Sequence, residues 1–226
     1  MLYAWVNGTK RRPDKKGERT VCADCQGVLT AVMPLQNVSH WRHLTGECDP
    51  WSEPEGEWHL WWKSQFQRDE CEITLTDPLT GEHHRADVLV AGQQQTTIVE
   101  LQHSTISDEE RQAREAFYGR GRRMFWLLNM DDDKSFREIN FGLSLDYSRP
   151  VKVGTTEFFI MRWAGRSSQF IQKWKRSNVH VFLHWRRRIF YLATPCACRE
   201  LCNSLQPSQF AVSILSEADF FKAIKS

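Results

Sequence analysis

The spacing of apolar residues changes along the middle of the chain, and each change predicts a different element. Between residues 55 and 67 the large apolar side chains recur near the helical period, which predicts a helix. Residues 71–76 then alternate between polar and apolar, as a half-buried strand does, and the runs 85–91 and 96–102 predict two more strands. The expected order is therefore one helix followed by three strands.

A second helix and a buried strand complete this series. Ser107 is suited to cap a helix, and the acidic residues that follow it favour the positive end of the helix dipole. This helix should run to about Tyr118 and end at the glycines beyond it. The continuous apolar run 124–128 has the pattern of a strand buried on both faces. Residues 53–130 are thus expected to form one unit of order helix, three strands, helix, strand.

The flanking parts of the chain carry weaker patterns. Residues 1–52 hold short strand-like runs around cysteines and histidines, and a segment with two prolines follows them, which predicts a boundary. In residues 131–226 the pattern predicts a helix at 168–176, a hairpin within 179–193 and a final helix near 217–224. We expect this last part to be an α+β extension that binds DNA or a partner.

Composition narrows the class of protein only modestly. Hydrophobic residues make up 41% and charged residues 26% of the 226, and the formal net charge of +2 does not by itself indicate a nucleic-acid-binding protein. No run approaches the ~18 apolar residues of a membrane span, and the apolar start is too short for a signal peptide. We therefore expect a cytoplasmic protein without membrane association. Two of the seven cysteines are spaced as Cys22-x-x-Cys25, and in a reducing compartment this pair favours a metal or redox site over a disulfide.

Three polar residues on the predicted strands are candidates for catalysis. Residues i and i+2 of a strand point to the same side, so Glu100 and Gln102 should emerge together, and Asp87 can join them from the neighbouring strand. Converging carboxylates bind Mg²⁺ or Mn²⁺, which can activate a water for phosphodiester hydrolysis. The competing interpretation is a set of acids on a solvent-exposed edge. The apolar residues flanking Glu100 favour a central strand instead.

A group of cysteines and histidines near the start of the chain is a candidate metal site. Four residues of the types that tetrahedral zinc takes lie close together in the sequence: Cys22, Cys25, His40 and His43. With four protein ligands the zinc would be structural and would hold a small module that lacks a sizeable core. Cys48 is near enough to replace one histidine, which leaves the fourth ligand open.

Several short motifs, each weak alone, follow one another in a specific order. They are Cys22-x-x-Cys25, His40-Trp41-Arg42-His43, Glu57-x-His59-x-x-x-Lys63, Arg85-x-Asp87, Glu100-Leu101-Gln102-x-Ser104 and Arg114-x-x-x-Tyr118. This ordered set resembles the competence protein CoiA-like family of the PD-(D/E)XK, restriction-endonuclease-like nuclease superfamily. The resemblance implies an α/β fold with an αβββαβ core and a mixed central sheet, preceded by a small zinc-binding module.

The resemblance also implies roles for individual residues. Asp87 and Glu100 would bind the catalytic Mg²⁺ or Mn²⁺, and Glu57, at the start of the first helix, matches an acid that often completes such sites. Gln102 stands where the superfamily commonly has a lysine. An amide cannot act as a base but can orient a water. The group that activates the nucleophile therefore stays open.

Basic residues near these acids are candidates for contacts with nucleic acid. His59 and Lys63 share a helix face, and the resemblance places them beside the scissile phosphate, with a solvated polar face as the equal alternative. Arg114, Arg122 and Arg123 lie on and after the second predicted helix. Such arginines can neutralise phosphates and make binding salt-dependent. For Arg114 a solvated side chain is the commoner outcome.

The function expected from these features is metal-dependent hydrolysis of DNA. The setting could be DNA uptake, recombination, phage-related processing or defence, and the DNA could be single-stranded or duplex. A homo-oligomer or a recombination or defence protein as partner is compatible with the sequence. The alternative is a catalytically inactive DNA-binding protein that keeps the nuclease-like fold.

Overall fold

A computed structural model of the chain shows two compact units. It describes residues 1–36, 38–46, 48–52, 55–131, 136–165 and 168–226. The units are Met1–Leu89 and Val90–Ser226. The predicted boundary at residue 53 lies outside the described residues, so the division at that point stays a prediction.

Short strands dominate the first unit. In chain order its elements are β1 (Ala4–Val6), β2 (Thr9–Arg11), β3 (Arg19–Val21), β4 (Val28–Val32), β5 (His40–His43), α1 (Glu57–Lys63), β6 (Cys71–Thr76) and β7 (His83–Ala91), whose last two residues belong to the second unit. A 3₁₀ turn, Arg68–Glu70, leads into β6. β1 pairs with β2, β3–β4–β5 form an antiparallel sheet, and β6 pairs antiparallel with β7.

A small apolar core holds the N-terminal strands together. Its members are buried side chains from β1, the first cysteine loop, β4 and β5: Ala4, Val6, Cys22, Leu29, Ala31 and Trp41. Trp41 is 1% exposed, and its indole donates to the Arg11 carbonyl at 3.0 Å. Along β5 the side chains alternate, so Trp41 and His43 face inward while His40 and Arg42 lie on the other face.

The second unit contains the remaining elements. They are β8 (Thr96–Gln102), α2 (Asp108–Tyr118), β9 (Arg123–Asn129), α3 (Arg137–Ser144), β10 (Pro150–Val153), β11 (Thr156–Arg162), α4 (Gln169–Trp174), β12 (His180–Trp185), β13 (Arg188–Leu192), α5 (Pro195–Ser204), β14 (Gln209–Leu215) and α6 (Glu217–Lys225). Within this unit the strands form a mixed sheet in the order β10-β11-β14-β13-β12-β9-β8.

The sequence explains how this sheet is built. β8 and β9 are parallel and are joined by α2, because a parallel connection needs a crossover that a helix commonly supplies. Both strands are buried along almost their whole length, which accounts for their continuous apolar runs. The large mixed sheet confirms the predicted α/β fold class, and the elements α1, β6, β7, β8, α2 and β9 follow in the predicted order.

Local signals predicted two further features correctly. The hydroxyl of Ser107 accepts a hydrogen bond from the Glu110 N–H at 3.0 Å, as expected of a helix cap. The hairpin of β12 and β13 turns at Arg186 and Arg187, both with positive φ (47° and 62°), as a tight two-residue hairpin turn requires. The Arg186 N–H is held by the Asp131 carboxylate at 3.1 Å.

The described helices are short. The longest, α2, has 11 residues. Among the described parts of the chain, no helix combines the length and the apolar character needed to cross a bilayer.

Two histidines on β12 make the second unit sensitive to acid. Burial lowers the pKa of His180 to about 4, with a smaller contribution from Arg123, and burial lowers the pKa of His184 to about 4 as well. Both pKa values lie below that of an unfolded histidine, ~6.5. The unfolded chain therefore binds more protons, and stability present above pH ~6.5 is lost as the pH falls toward the folded pKa values.

We predict that His180→Asn and His184→Asn flatten the pH dependence of stability between pH 6.5 and 4, in which each native histidine contributes a slope of up to ~1.4 kcal/mol per pH unit. Urea unfolding at a series of pH values measures this slope. His83→Asn, at an exposed position, is the matched control and should leave the slope unchanged. Identical slopes in all four proteins would contradict the assignment.

Candidate active site and metal centre

Buried charged side chains surround Asp87 in the first unit. The His59 Nε2 and Lys63 Nζ atoms lie 2.9 and 3.0 Å from the same oxygen, Asp87 Oδ1. Lys63 Nζ also lies 2.5 Å from a carboxylate oxygen of Glu55 and 3.2 Å from one of Glu72. One ammonium group thus faces three carboxylates. We call these five residues the acid cluster.

Helix α1 supplies the basic members of the acid cluster. His59 and Lys63 are one turn apart and are only 3% and 2% exposed. The alternative of a solvated polar face is therefore wrong for this helix. Both side chains point at Asp87. Their expected place beside the scissile phosphate stays a prediction.

Strands β6 and β7 supply two of the acids. Their register, in which Ile73 pairs with Ala86, places Glu72 opposite Asp87. Glu72 has a positive φ of 53°, rare for a residue other than glycine, and its side chain is buried. Its two carboxylate oxygens accept the N–H groups of Leu2 and Tyr3 at 2.6 and 2.8 Å. Glu72 is therefore fixed from several sides.

The acid that joins Asp87 is Glu55 and not Glu57. Glu57 is exposed, because a residue two positions from His59 lies ~200° around the helix from it. Glu55 precedes the helix and turns inward. One ligand atom from each of Glu55, His59 and Asp87 lies within 4.8 Å of the other two, so this group can hold a metal ion.

Sequence reasoning missed Glu55 and Glu72 for different reasons. Glu55 lies at the end of a proline-containing segment interpreted as a linker, and no local signal marked it. Glu72 occupies a polar position of an alternating strand, which is typical of a side chain that faces solvent. Its inward course depends on its left-handed backbone, which no pattern indicated.

Electrostatics keeps two members of the acid cluster, Glu55 and Lys63, charged. Burial would raise the pKa of Glu55, but the charges of Lys63 and of the N-terminus, with His59, hold that pKa well below its usual range. Burial would lower the pKa of Lys63, but Asp87, Glu55 and Glu72 raise it well above its usual value. Three carboxylates face two ammonium groups, that of Lys63 and that of the N-terminus, which lies 3.7 Å from Glu55, so the carboxylates exceed the ammonium groups by one.

A second group of candidate residues lies on β8 and α2 in the second unit. Glu100 and Gln102 are two residues apart on β8 and are 3% and 2% exposed. Arg114 is buried and pairs with Glu100, Nη1 to Oε2 at 3.4 Å, and with Glu110. The Gln102 amide donates to the Ser104 carbonyl at 3.2 Å. Arg114 is therefore neither solvated nor turned outward toward DNA.

The other two arginines expected to contact DNA differ from each other. Arg123 donates to the carbonyls of Ala223 and Ile224 and to the Thr97 hydroxyl, so it caps the carboxyl end of α6. The structure gives it this structural role. Arg122 is partly exposed and donates to the Arg120 carbonyl at 3.3 Å.

Three cysteines and one histidine converge near the start of the chain. Their ligand atoms lie within 4.8 Å of one another: Cys22, Cys25, His43 and Cys48. The Cys22 and Cys48 sulfurs are 3.8 Å apart, and Cys25 Sγ is 3.5 Å from His43 Nε2. Zinc bonds of ~2.3 Å to sulfur and ~2.0 Å to nitrogen place tetrahedral ligand atoms ~3.5–3.8 Å apart. These four residues fit such an ion.

His40 is not part of this group, and Cys48 takes its place. Residues three apart on a strand point to opposite faces, so His40 and His43 of β5 cannot turn to one ion. The His40 ring instead lies 3.1 Å from the Val38 carbonyl oxygen. The predicted ligand set is corrected at this one position.

The cysteine loops are bonded to the strands that carry the acid cluster. Asp24, between the first two cysteines, accepts hydrogen bonds from Thr74 at 2.6 Å and from Arg85 Nη1 at 3.1 Å. Asp49, next to Cys48, accepts the Arg85 N–H at 2.8 Å. Burial raises the pKa of Cys48 to about 12, against the lowering effect of Arg85. Arg85 thereby connects the two loops that carry the cysteines to β7.

Comparison with known proteins gives one family match. The model of the family described as competence protein CoiA, nuclease-like domain, matches residues 55–184. No curated protein and no solved structure matches the chain. The match includes Glu55, Asp87 and Glu100. It begins after Cys22, Cys25, His43 and Cys48, so it does not cover the candidate zinc ligands.

We predict that His43→Asn removes the metal ion from the cluster of three cysteines and one histidine, whereas His40→Asn retains it. Of the two histidines, only His43 has its ring among the cysteines. Elemental analysis of the purified proteins measures the bound zinc. The loss should also lower the melting temperature of His43→Asn, since a structural ion contributes directly to folding. Equal zinc in both variants, or loss only from His40→Asn, would contradict the corrected ligand set.

The excess negative charge of the acid cluster leads to a second prediction. Lys63→Met removes the ammonium that its three carboxylates share and should lower the free energy of unfolding by ~3 kcal/mol, because the buried acids lose this cation. Added Mn²⁺ should then raise the melting temperature of this variant more than that of the native protein. Lys16→Met, at an exposed site, is the control. If Mn²⁺ stabilises all three proteins equally, the cluster is not a cation site.

Proposed function

Since the chain belongs to the family of competence protein CoiA nuclease-like domains, we propose that it hydrolyses phosphodiester bonds of DNA in a metal-dependent reaction. The observation that carries this proposal is the acid cluster, where the carboxylates of Glu55, Glu72 and Asp87 exceed by one the ammonium groups of Lys63 and the N-terminus that face them. A buried excess of negative charge is costly without a cation. Oxygen ligands of this kind suit Mg²⁺ or Mn²⁺.

The proposed metal ligands are Asp87 and Glu100, with Glu55 in the supporting role first expected of Glu57. When bound, Mg²⁺ or Mn²⁺ stabilises charge on the phosphate and makes a water more acidic. These residue types fit the ion because all three are carboxylates.

Neighbouring side chains would orient the substrate and move the proton. Lys63 stays protonated beside Asp87, and its three N–H groups face three carboxylates, so it would hold a phosphate oxygen only when a metal ion takes over one of those carboxylates. The Gln102 amide can orient the attacking water but cannot accept its proton. Within the acid cluster the imidazole of His59 is the group proposed to accept that proton, and its contact with Asp87 fixes the ring.

The cluster of Cys22, Cys25, His43 and Cys48 is proposed to hold structural Zn²⁺, because zinc is commonly bound by three cysteines and one histidine. A reducing compartment such as the cytoplasm would keep these thiols available as ligands. DNA uptake, recombination, phage-related processing and defence all fit a nuclease of this kind.

A catalytically inactive DNA-binding protein is the second candidate function. It is favoured by one observation: Asp87 is paired with Lys63 and Glu100 is paired with Arg114. If these ion pairs persist in the complex with DNA, neither acid is available to a metal. Such a protein would bind DNA and leave it intact.

We predict that the purified protein cuts DNA with Mg²⁺ or Mn²⁺, stops when the ion is chelated and resumes when Mg²⁺ is restored. Asp87→Ala and Glu100→Ala should each lower the cleavage rate at least ~100-fold, the scale for loss of a charge-stabilising group. Gel assays on single-stranded and duplex DNA measure the rate.

Glu57→Ala is the matched control, since it removes an exposed acid close to the cluster and should cut at the native rate. DNA binding without cleavage by the native protein, under either ion, would select the inactive alternative. Native cleavage by both Asp87→Ala and Glu100→Ala would refute the assignment of the site.

A further inference from the structure

A cavity of about 360 Å³ opens in the second unit beside the segment that follows β8. Arg137 and Asn140 line it from α3, Phe170 and Lys173 line it from α4, and Trp163 lines it just after β11. This volume is within the ~300–1,000 Å³ of pockets that hold small organic ligands. The reaction proposed above makes no use of this cavity.

Two cations give the cavity its charge. Arg137 is 6% exposed and lies over the Phe170 ring, 5.0 Å from its centroid, and Lys173 is partly buried. Among the described residues that line the cavity there is no acid. Two positive charges at a low-dielectric concave surface attract an anion more strongly than they would on open surface. The preferred ligand therefore carries negative charge.

The rest of the lining suits a planar heterocycle. The Trp163 and Phe170 rings are 6.3 Å apart and inclined by 36°, and aromatic faces of this kind stack on nucleobases. Asn140 and Gln169 bring side-chain amides, which carry both donors and acceptors for the edge of a base. A ligand that matches both the cations and the aromatic rings of the cavity would combine a negative group with a planar base, as a nucleotide does.

The cavity is attached to the strand that carries Glu100 and Gln102. Arg137 Nη2 donates to the His103 carbonyl at 3.0 Å, and the Lys173 ammonium donates to the Ile106 carbonyl. The Gln102 amide holds Ser104 in the same segment. Residues 103–106 are thus fixed between β8 and the two cations. A ligand in the cavity would lie a few residues beyond the proposed catalytic strand.

We propose that this cavity binds one unstacked nucleotide of the nucleic-acid substrate. Its phosphate would lie against Lys173 and Arg137, and its base would lie on Trp163 and Phe170. The site would favour a single-stranded segment or end, because a base within a duplex must first be unpaired and unstacked, at a cost in free energy, before it can enter a cavity. This inference rests on the proposed function for the identity of the substrate, and it adds a preference for single strands.

The test is the binding of a short, labelled single-stranded DNA to the full chain, followed by fluorescence anisotropy at several salt concentrations. No divalent ion is added, so that the DNA stays intact. Lys173→Gln should weaken binding roughly tenfold, as expected for the loss of a charged hydrogen bond. It should also reduce the slope of log K against log salt by ~0.7, the value for one phosphate contact on a single strand.

Lys175→Gln is the matched control for this variant. Lys175 lies at the end of the same helix and also donates to backbone carbonyls, those of Pro207 and Gln209, but it does not line the cavity. It should bind single-stranded DNA with native affinity and native salt slope. An equal loss of affinity in both variants, or none in Lys173→Gln, would overturn the proposal.

A second pair of variants tests the aromatic face. Phe170→Leu should weaken binding of single-stranded DNA roughly tenfold without changing the salt slope, since stacking releases no counterions. Phe221→Leu, on α6 and outside the cavity, should bind as the native chain does. Binding of blunt duplex DNA should be unchanged in all four variants. Native affinity of Phe170→Leu for single strands would overturn the stacking of a base.

Failure of the cavity and failure of the nuclease proposal give different results. If the native chain cuts DNA and the Lys173 and Phe170 variants bind single strands normally, the nuclease proposal stands and the nucleotide site is wrong. If the native chain never cuts DNA but those variants lose binding as described, the nucleotide site stands and the nuclease proposal is wrong.

Discussion

The first unit is organised around one buried ammonium group. Lys63 is 2% exposed and is paired with three carboxylates that come from different parts of the sequence. A lysine buried without these partners would lose its proton, and the carboxylates without the lysine would repel one another. Helix α1, strand β6 and strand β7 therefore have to meet at this point for any of these charges to be tolerated. The candidate catalytic residue Asp87 takes its position from this requirement.

The order of secondary-structure elements could be predicted in the middle of the chain, because periodicity there is strong. Strands β8 and β9 are apolar runs with clear ends, and α2 has its Ser107 cap. The C-terminal part was predicted less completely. Helix α5 starts at Pro195 but is interrupted at Cys198, whose φ of −159° is not helical. When a helix is interrupted in this way, the spacing of its apolar residues does not predict it.

The candidate site was predictable in its residue types but less so in its geometry. The sequence indicates Asp87, His59 and Lys63, which lie together in the structure. It favours Glu57 where Glu55 turns inward, because the inward face of a short helix depends on what it packs against. Arg114 was expected to contact DNA, but in the structure it neutralises Glu100 inside the protein. Long charged side chains reach in many directions, and their partners are fixed by tertiary contacts that a sequence pattern does not contain.

Glu72 shows that the family match and the physical unit have different limits. The match begins at residue 55, but the carboxylate of Glu72 is held by the N–H groups of Leu2 and Tyr3, and the ammonium of Lys10 is bonded to the Cys71 carbonyl. A fragment trimmed to the matched residues would lose these donors and leave the buried carboxylate of Glu72 without the two backbone N–H groups whose hydrogen bonds it accepts. The N-terminal strands are thus a structural component of the nuclease-like domain, and excising them would damage its interior.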